Sequence, residues 1–353
     1  MQPQFLFDLM QEHPQYRELL TELQKPEAVI AASGLSGAQK VHLACALSEH
    51  TGRPLLYLCE SERAAAAAME DLSALLGQNV SLFPAREITF YQEVAASREV
   101  ACRRIETLQK LITGQTRAVV CSADSVLHRV MPRRIFSGHT IRICVGDVMP
   151  TDELVERLLA AGYSREYMVE GRGQFSLRGG IIDIYPADST SAVRVEFFDD
   201  EVDSIRQFDV MNQRSQHNMT EAVIPPASEA PVPDEGAQAF ADRIRRALRR
   251  QTRAMNAPKD DDKEATLADL PLEDGEVAVP AAFTRESRTM ERYQENVENA
   301  LLQLERGVSS RLLEKYIHLL YEKTETVCDY MTRPIIVLDE PEALFARMDS
   351  RGG

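Results

Sequence analysis

The 353-residue sequence contains no tryptophan, and its basic residues are outnumbered: 40 Lys and Arg stand against 55 Asp and Glu, a formal net charge of −15. Affinity for DNA comes mostly from the neutralisation of phosphates by Lys and Arg, so an acidic chain is repelled by the DNA backbone. The charge balance therefore argues against a direct binder of damaged DNA. The lack of tryptophan excludes a ligand site built on indole rings.

The sequence also lacks cysteine pairs with the spacing of metal ligands, and it lacks long apolar runs. The six cysteines form no C-x-x-C pair, and several, such as Cys45 and Cys121, lie in apolar stretches, which is typical of buried thiols in a reducing compartment. The histidines have no metal-ligand spacing. No apolar stretch approaches the ~20 residues of a membrane span, and no leader pattern opens the chain. We expect a cytoplasmic protein with no metal and no cofactor.

Hydrophobic residues make up 44% of the chain, which is typical of a globular protein, and the length favours two or three structural units. In residues 1–136, short apolar runs alternate with helical patterns. The runs predict strands at 28–31, 54–59, 80–83 and 118–121, with helices at 40–50, 62–76 and 97–113. Such alternation predicts a parallel sheet covered by helices.

Residues 137–224 have a different pattern. A strand at 140–145 and a helix at 151–161, capped by Thr151, precede predicted strands at 167–170, 173–178, 180–185, 193–198 and 205–209. Gly- and Asp-rich turns separate these strands. We therefore expect an inserted α+β domain with an antiparallel sheet.

Residues 225–353 return to the earlier pattern. Prolines at 225–233 predict a linker, an arginine-rich helix follows at 243–253, and a second long helix at 286–306 precedes a strand at 335–338. The arginines are either a nucleic-acid-binding patch or a solvated helix face balanced by acidic neighbours such as Asp260, Asp261 and Asp262. The net negative charge of the chain favours the second interpretation. The predicted fold is α/β, with segments 1–136 and 225–353 forming one discontinuous domain around the insert.

A degenerate phosphate-binding loop lies between the first predicted strand and helix. A working loop reads G-x-x-x-x-G-K-[ST]; its second glycine wraps the phosphates, and its hydroxyl binds Mg²⁺. Here Gly34, Gly37 and Lys40 are present, but Gln39 replaces that second glycine and Val41 replaces the hydroxyl residue. The lysine is left without a cradle or a metal ligand.

The acidic pair Asp339 and Glu340 follows the last predicted strand, where the other half of an ATPase site would lie. Alone, the pair indicates only a polar strand end. Beside the degenerate loop it indicates a decayed P-loop NTPase-like domain kept as a scaffold, so we assign no catalytic residue.

Two segments carry a family resemblance. QFSLRGGIIDIYP at 174–186 and RVEFFDDEVDSIR at 194–206 resemble segments shared by the excision nuclease subunit UvrB and the transcription-repair coupling factors. The degenerate loop favours the coupling factors, as do residues 92–97, which are too few for the damage-probing hairpin that UvrB carries. The resemblance covers most of the chain and is weak between about 230 and 290.

The resemblance implies the N-terminal module of a longer coupling factor. In that family the inserted domain binds UvrA by imitating UvrB, while an ATP-dependent DNA translocase motor and an RNA-polymerase-binding domain lie elsewhere. A C-terminal domain masks the UvrA-binding face in the full-length protein, so we expect this chain to bind UvrA constitutively. The alternative is an ATP-dependent helicase domain like that of UvrB, which requires nucleotide binding.

The predicted binding face lies on the strand at 193–198. Alternation places Arg194, Glu196 and Phe198 on one side and Val195 and Phe197 on the other. An exposed Phe beside Arg is typical of interaction hot spots, whereas a solvated cross-strand pair is the alternative. By resemblance, Arg178, Arg194 and Phe198 match the positions that contact UvrA. If Arg194 is exposed, Arg194→Ala is expected to leave the thermal stability of the chain nearly unchanged.

Overall fold

The chain runs through alternating helices and strands, then a succession of strands, then mainly helices. The computed structural model describes residues 4–86, 98–233, 237–255, 281–321 and 323–350. Their strands are β1 (Leu55–Cys59), β2 (Val80–Phe83), β3 (Ala118–Ser122), β4 (Ile141–Cys144), β5 (Ser164–Arg165), β6 (Gln174–Arg178), β7 (Ile181–Tyr185), β8 (Ala192–Phe198), β9 (Glu201–Phe208), β10 (Ser215–Met219), β11 (Glu221–Ile224) and β12 (Ile335–Leu338). Their α-helices are α1 (Gln4–Asp8), α2 (Pro14–Glu22), α3 (Ala38–Thr51), α4 (Glu62–Leu76), α5 (Arg98–Thr113), α6 (Ala123–Val126), α7 (Arg133–Gly138), α8 (Thr151–Ala160), α9 (Ala237–Met255), α10 (Ala281–Glu305), α11 (Ile317–Leu320) and α12 (Pro341–Asp349).

A four-stranded parallel sheet joins the two ends of the chain. Its order is β12-β1-β3-β2, so the strand at 335–338 pairs directly with the strand at 55–59. Along β1, Leu56 and Leu58 enter one buried apolar cluster, while Leu55 and Tyr57 enter another. Since successive residues of a strand face opposite sides, β1 is buried on both faces, as the inner strands of parallel sheets usually are.

Two further sheets are built from residues 141–224. The larger has six strands in the order β10-β9-β8-β7-β6-β5, all antiparallel except the short β5–β6 pair. The smaller pairs β4 with β11 antiparallel. The expected α/β class, with a parallel sheet and separate antiparallel strands, is confirmed.

The parallel and six-stranded sheets share one apolar core. Phe83 and Ile105, at the end of β2 and on α5, belong to the same buried cluster as Ile182, Val195 and Ile205 of the six-stranded sheet. Burial of apolar side chains is the main stabilising contribution to such a junction. The position of the six-stranded sheet is therefore set by packing.

The proline-rich stretch predicted as a linker is instead buried. The segment 224–231 is buried throughout, with Ser228 and Glu229 at 0% and 1% exposure. The Ala227 N–H donates to the Ala161 carbonyl at 2.8 Å, which fixes the segment against the end of α8. We call residues 224–231 the strap. The linker prediction was wrong because proline, which has no backbone N–H, can be buried at positions where no hydrogen-bond donor is needed.

An ion cluster holds the strap. Glu229 accepts from Arg104 Nε at 2.5 Å and Nη2 at 3.2 Å, and from Arg86 Nη2 at 3.0 Å. Arg104 is fully buried and stacks on Phe83, 3.9 Å from the ring centroid. Glu314 accepts from the Ser228 hydroxyl at 2.9 Å. These contacts join residues that precede, follow and lie within the strap, and buried charges of this kind require such pairing.

The first predicted strand, at 28–31, does not form. Residues 28–33 have no strand pairing, and the Val29 side chain is 98% exposed. Alanine is depleted in strands and buries little area, so the run Ala28-Val29-Ile30-Ala31 gains little from adding to a sheet. The outer edge of β12 is left without a strand in the described part of the chain.

Smaller differences lie in the insert. The predicted strand at 167–170 is a loop in the structure. The N–H groups of Glu170 and Gly171 donate to Gln174 Oε1, so a side chain takes the place of a neighbouring strand as their hydrogen-bond acceptor. The strand in this region, β5, lies earlier in the chain, at Ser164–Arg165. Thr151 is the first residue of α8; Pro150 holds the cap position without a side-chain bond. Strands β10 and β11 were not predicted. Residues 92–97, like Asp260, Asp261 and Asp262, lie outside the described residues.

Candidate partner-binding face and degenerate phosphate loop

One face of the six-stranded sheet is polar and lies opposite the apolar core. In the ladder, Arg178 on β6 pairs with Ile181 on β7, Ile181 with Glu196 on β8, and Glu196 with Ser204 on β9. A second row runs Ser176, Asp183, Arg194 and Arg206. Directly paired residues project to the same side, so these eight positions form one surface, which we call the polar face.

Asp183 lies at the centre of the polar face and is only 2% exposed. Arg194 donates to it with two nitrogens, Nε to Oδ1 at 2.6 Å and Nη2 to Oδ2 at 2.9 Å. Arg178 Nη2 lies 3.4 Å from the same Oδ2. A two-pronged guanidinium–carboxylate pair is strong and fixes the orientation of both groups. Sequence reasoning missed Asp183, although a carboxylate between Ile182 and Ile184 was the signal that could have shown it.

The two arginines differ in exposure. The side chain of Arg194 is 19% exposed and stands over the Phe208 ring, 4.9 Å from its centroid, whereas that of Arg178 is 46% exposed. The hydrogen bond to Asp183 raises the pKa of Arg194, against the opposing effect of burial. Arg178 therefore presents most of its donors to solvent, while Arg194 presents only those that Asp183 does not occupy.

Phe198 lies at the end of β8 with its side chain 74% exposed. Val195 is fully buried, and Glu196 accepts from the Ser204 hydroxyl at 2.8 Å on the polar face. The structure thus places Arg178, Arg194 and Phe198 on the same side of the sheet. An exposed phenylalanine on the same side of a sheet as two guanidinium groups has the composition of an interface anchor.

The degenerate loop precedes α3, and its lysine is already paired. Gly34 and Gly37 have φ values of +80° and +47°, and Gln39 Oε1 accepts from the Ser36 N–H at 3.1 Å. Lys40 Nζ lies 2.7 Å from Asp339 Oδ1 and also donates to Glu340. These hydrogen bonds raise the pKa of Lys40. A phosphate entering this loop would have to displace both carboxylates from the lysine.

The residue at the position of the missing hydroxyl, Val41, is buried. Val41 is 3% exposed and belongs to the apolar cluster formed with β1 and α4. Its side chain carries no oxygen for a metal ion. The arrangement of Gln39, Lys40 and Val41 thus lacks the phosphate cradle and the Mg²⁺ ligand that nucleotide hydrolysis requires.

The arginine-rich helix α9 is partly neutralised by its neighbour α10. Arg245 donates to Glu298 at 2.6 Å and to Glu305 at 2.8 Å, and these bonds raise its pKa. Arg246, Arg249 and Arg250 are exposed. Two acidic partners of Arg245 thus come from α10, and a third, Asp242, lies on α9 itself with its Oδ1 3.4 Å from Arg245 Nη1. The acidic neighbours expected at 260–262 lie outside the described residues.

Among the described residues, no group of His, Cys, Asp and Glu is arranged to hold a metal ion. In the same part of the chain, no helix combines the length and apolarity needed to cross a membrane.

The profile of a protein family described as the UvrB interaction domain matches residues 141–229. This range contains the six-stranded sheet, the polar face and most of the strap.

Curated relatives extend the similarity to nearly the whole chain. The chain is 30% identical over 334 residues to a transcription-repair-coupling factor of Bacillus subtilis, which covers 94% of this chain and 26% of that protein. It is 33% identical over 245 residues to that of Myxococcus xanthus, covering 65% and 20% of the two chains. The chain thus spans 20% to 26% of the length of these two relatives. The domain match on the polar-face sheet and the 30% identity along 94% of this chain together show that the transcription-repair-coupling factors are homologues of this chain over most of its length.

Proposed function

We propose that this chain is a non-catalytic adaptor that binds UvrA through the polar face and Phe198. The observation that carries the proposal is the exposed Phe198 on the same side of the sheet as the Asp183-held arginines, within the segment that matches the UvrB interaction domain. Hot spots are enriched in aromatic and arginine side chains that enter a desolvated pocket of the partner. The contacts assigned to UvrA are those of Arg178, Arg194 and Phe198.

The parallel sheet serves as a scaffold with a decayed P-loop NTPase-like architecture. Support comes from the glycines before α3, the carboxylates after β12 and the parallel strands between them. The pairing of Lys40 with Asp339 and Glu340 supports a site that holds no nucleotide. No step of catalysis is assigned to this chain.

In the cell, the adaptor would recruit UvrA to RNA polymerase stalled at a lesion and so direct nucleotide excision repair. Binding to RNA polymerase and to duplex DNA, and ATP-dependent translocation, would belong to the remainder of a full-length coupling factor. The acidic balance of this chain, 55 Asp and Glu against 40 Lys and Arg, supports a role in protein binding.

The test is a calorimetric titration of purified UvrA with the unaltered chain and with Phe198→Ala. Loss of a buried aromatic anchor typically weakens binding by about 2 kcal/mol or more, which is roughly thirtyfold. Met211→Ala is the matched control, because Met211 is a large apolar residue of the same sheet unit with 94% exposure, outside the polar face. Equal affinities for Phe198→Ala and the unaltered chain would refute the assigned face.

A further inference from the structure

The polar face continues beyond the six-stranded sheet onto the loop between β4 and α8. In this loop, the Met149 N–H donates to the Asp200 carbonyl at 2.7 Å, and the Val202 N–H donates to the Asp147 carbonyl at 2.8 Å. These two bonds flank an antiparallel bridge between Val148 and Glu201. A residue pair flanked in this way is a non-hydrogen-bonded pair, in which the two side chains lie close together on one side.

The same row includes Phe198. It pairs with Glu201 across the β8–β9 hairpin, so Phe198, Glu201 and Val148 project to one side from three adjacent segments. The side chain of Val148 is 76% exposed, close to the 74% of Phe198. Two large apolar groups thus stand exposed on either side of Glu201.

A third exposed apolar residue lies diagonal to Phe198. Ile181 pairs with Glu196, two residues before Phe198 on β8, and is 37% exposed. The diagonal neighbour of an antiparallel pair remains within reach of a long or aromatic side chain. We call Ile181, Phe198 and Val148 the apolar seam.

Charge is divided between the two ends of the seam. At the Ile181 end stand Arg178 and Arg194, and at the Val148 end the hairpin turn exposes Asp199, Asp200 and Glu201. A complementary partner surface therefore has an apolar hollow for the seam, acidic groups facing the arginines and basic groups facing the hairpin turn.

We infer that Val148 and Ile181 belong to the partner-binding surface, and that the bound protein presents such a hollow between an acidic and a basic patch. The inference rests on the proposed function, since it enlarges the same site. It adds to that site a contact from a loop that lies outside the two motif segments at 174–186 and 194–206.

The test compares Val148→Asp, Val148→Ala and Val29→Asp in titrations against UvrA, with urea unfolding of each chain in parallel. A carboxylate forced into an apolar hollow beside Glu201 is expected to weaken binding at least about tenfold, and Val148→Ala about threefold. Val29 is the matched control because it is 98% exposed and lies outside the polar face. Val29→Asp is expected to bind like the unaltered chain.

The possible failures are distinguishable. Unchanged affinity of both Val148 variants, with Phe198→Ala still impaired, would overturn the seam and leave the proposed function standing. No binding by the unaltered chain would overturn both. If Val148→Asp unfolds at lower urea, the comparison rests on Val148→Ala, whose smaller side chain introduces no buried charge.

Discussion

The ion pair of Arg194 predicts that this arginine stabilises the fold, in addition to its proposed contact with UvrA. Replacing Arg194 with Ala removes both short hydrogen bonds from Asp183, a carboxylate that is only 2% exposed. Breaking a buried pair from one side costs about 3–5 kcal/mol because a charge is left unpaired. Here the arginine keeps 19% exposure and Arg178 remains 3.4 Å away, so we expect a loss of about 2 kcal/mol. This changes the expectation, drawn from the sequence, of nearly unchanged stability.

The assay is urea unfolding followed by circular dichroism, because the chain has no tryptophan for fluorescence. Arg178→Ala is the matched control: its side chain is 46% exposed with one long contact, so its loss should cost less than about 0.5 kcal/mol. A lower midpoint with an unchanged slope identifies a change in stability. A stabilising role for this ion pair is refuted if Arg194→Ala unfolds at the midpoint of the unaltered chain, or if Arg178→Ala is equally destabilised.

Three further predictions concern the scaffold. Burial, together with Arg104 and Arg86, lowers the pKa of His128 to about 4. Because an unfolded histidine titrates near 6.5, stability from this residue should fall as pH drops from about 6.5 towards 4, and a His128→Gln chain should lose that part of the pH dependence of its urea midpoint. Gly162→Ala should destabilise the chain by about 2 kcal/mol or more, since its new Cβ would lie 2.5 Å from Ser228 Cβ in the strap. Gly146→Ala, with a similar φ of +89° and open space, should cost only the backbone strain of about 1 kcal/mol; equal urea midpoints for these two variants would contradict the strap packing. Calorimetry with millimolar Mg-ATP should show no saturable heat, and saturation would favour the helicase alternative.

The strands of the parallel sheet were predictable because their apolar runs are continuous and separated by clear helical patterns. The run at 55–59 is buried at every position, and Gly77 ends α4 with a φ of +65°. The alternation on β8 likewise predicted the sides taken by Val195 and Phe198. In each case local pattern and tertiary environment agree.

The errors arise where distant residues decide the outcome. Composition predicted a linker at 225–233, but Arg104 and Arg86, more than a hundred residues earlier, bury Glu229 in an ion cluster. The run at 28–31 is an exception, because its two alanines already indicated that a strand there would gain little from burial. Asp183 acquires its importance only from Arg194 on the next strand, and Val148 only from its bridge to Glu201.

The most direct measurement is a fluorescence-anisotropy titration of the labelled chain with purified UvrA, reversed with excess unlabelled chain. An adaptor that binds UvrA without nucleotide gives a saturable rise in anisotropy that the unlabelled chain abolishes. A flat response at micromolar UvrA, with the chain shown to be folded, would contradict the adaptor role.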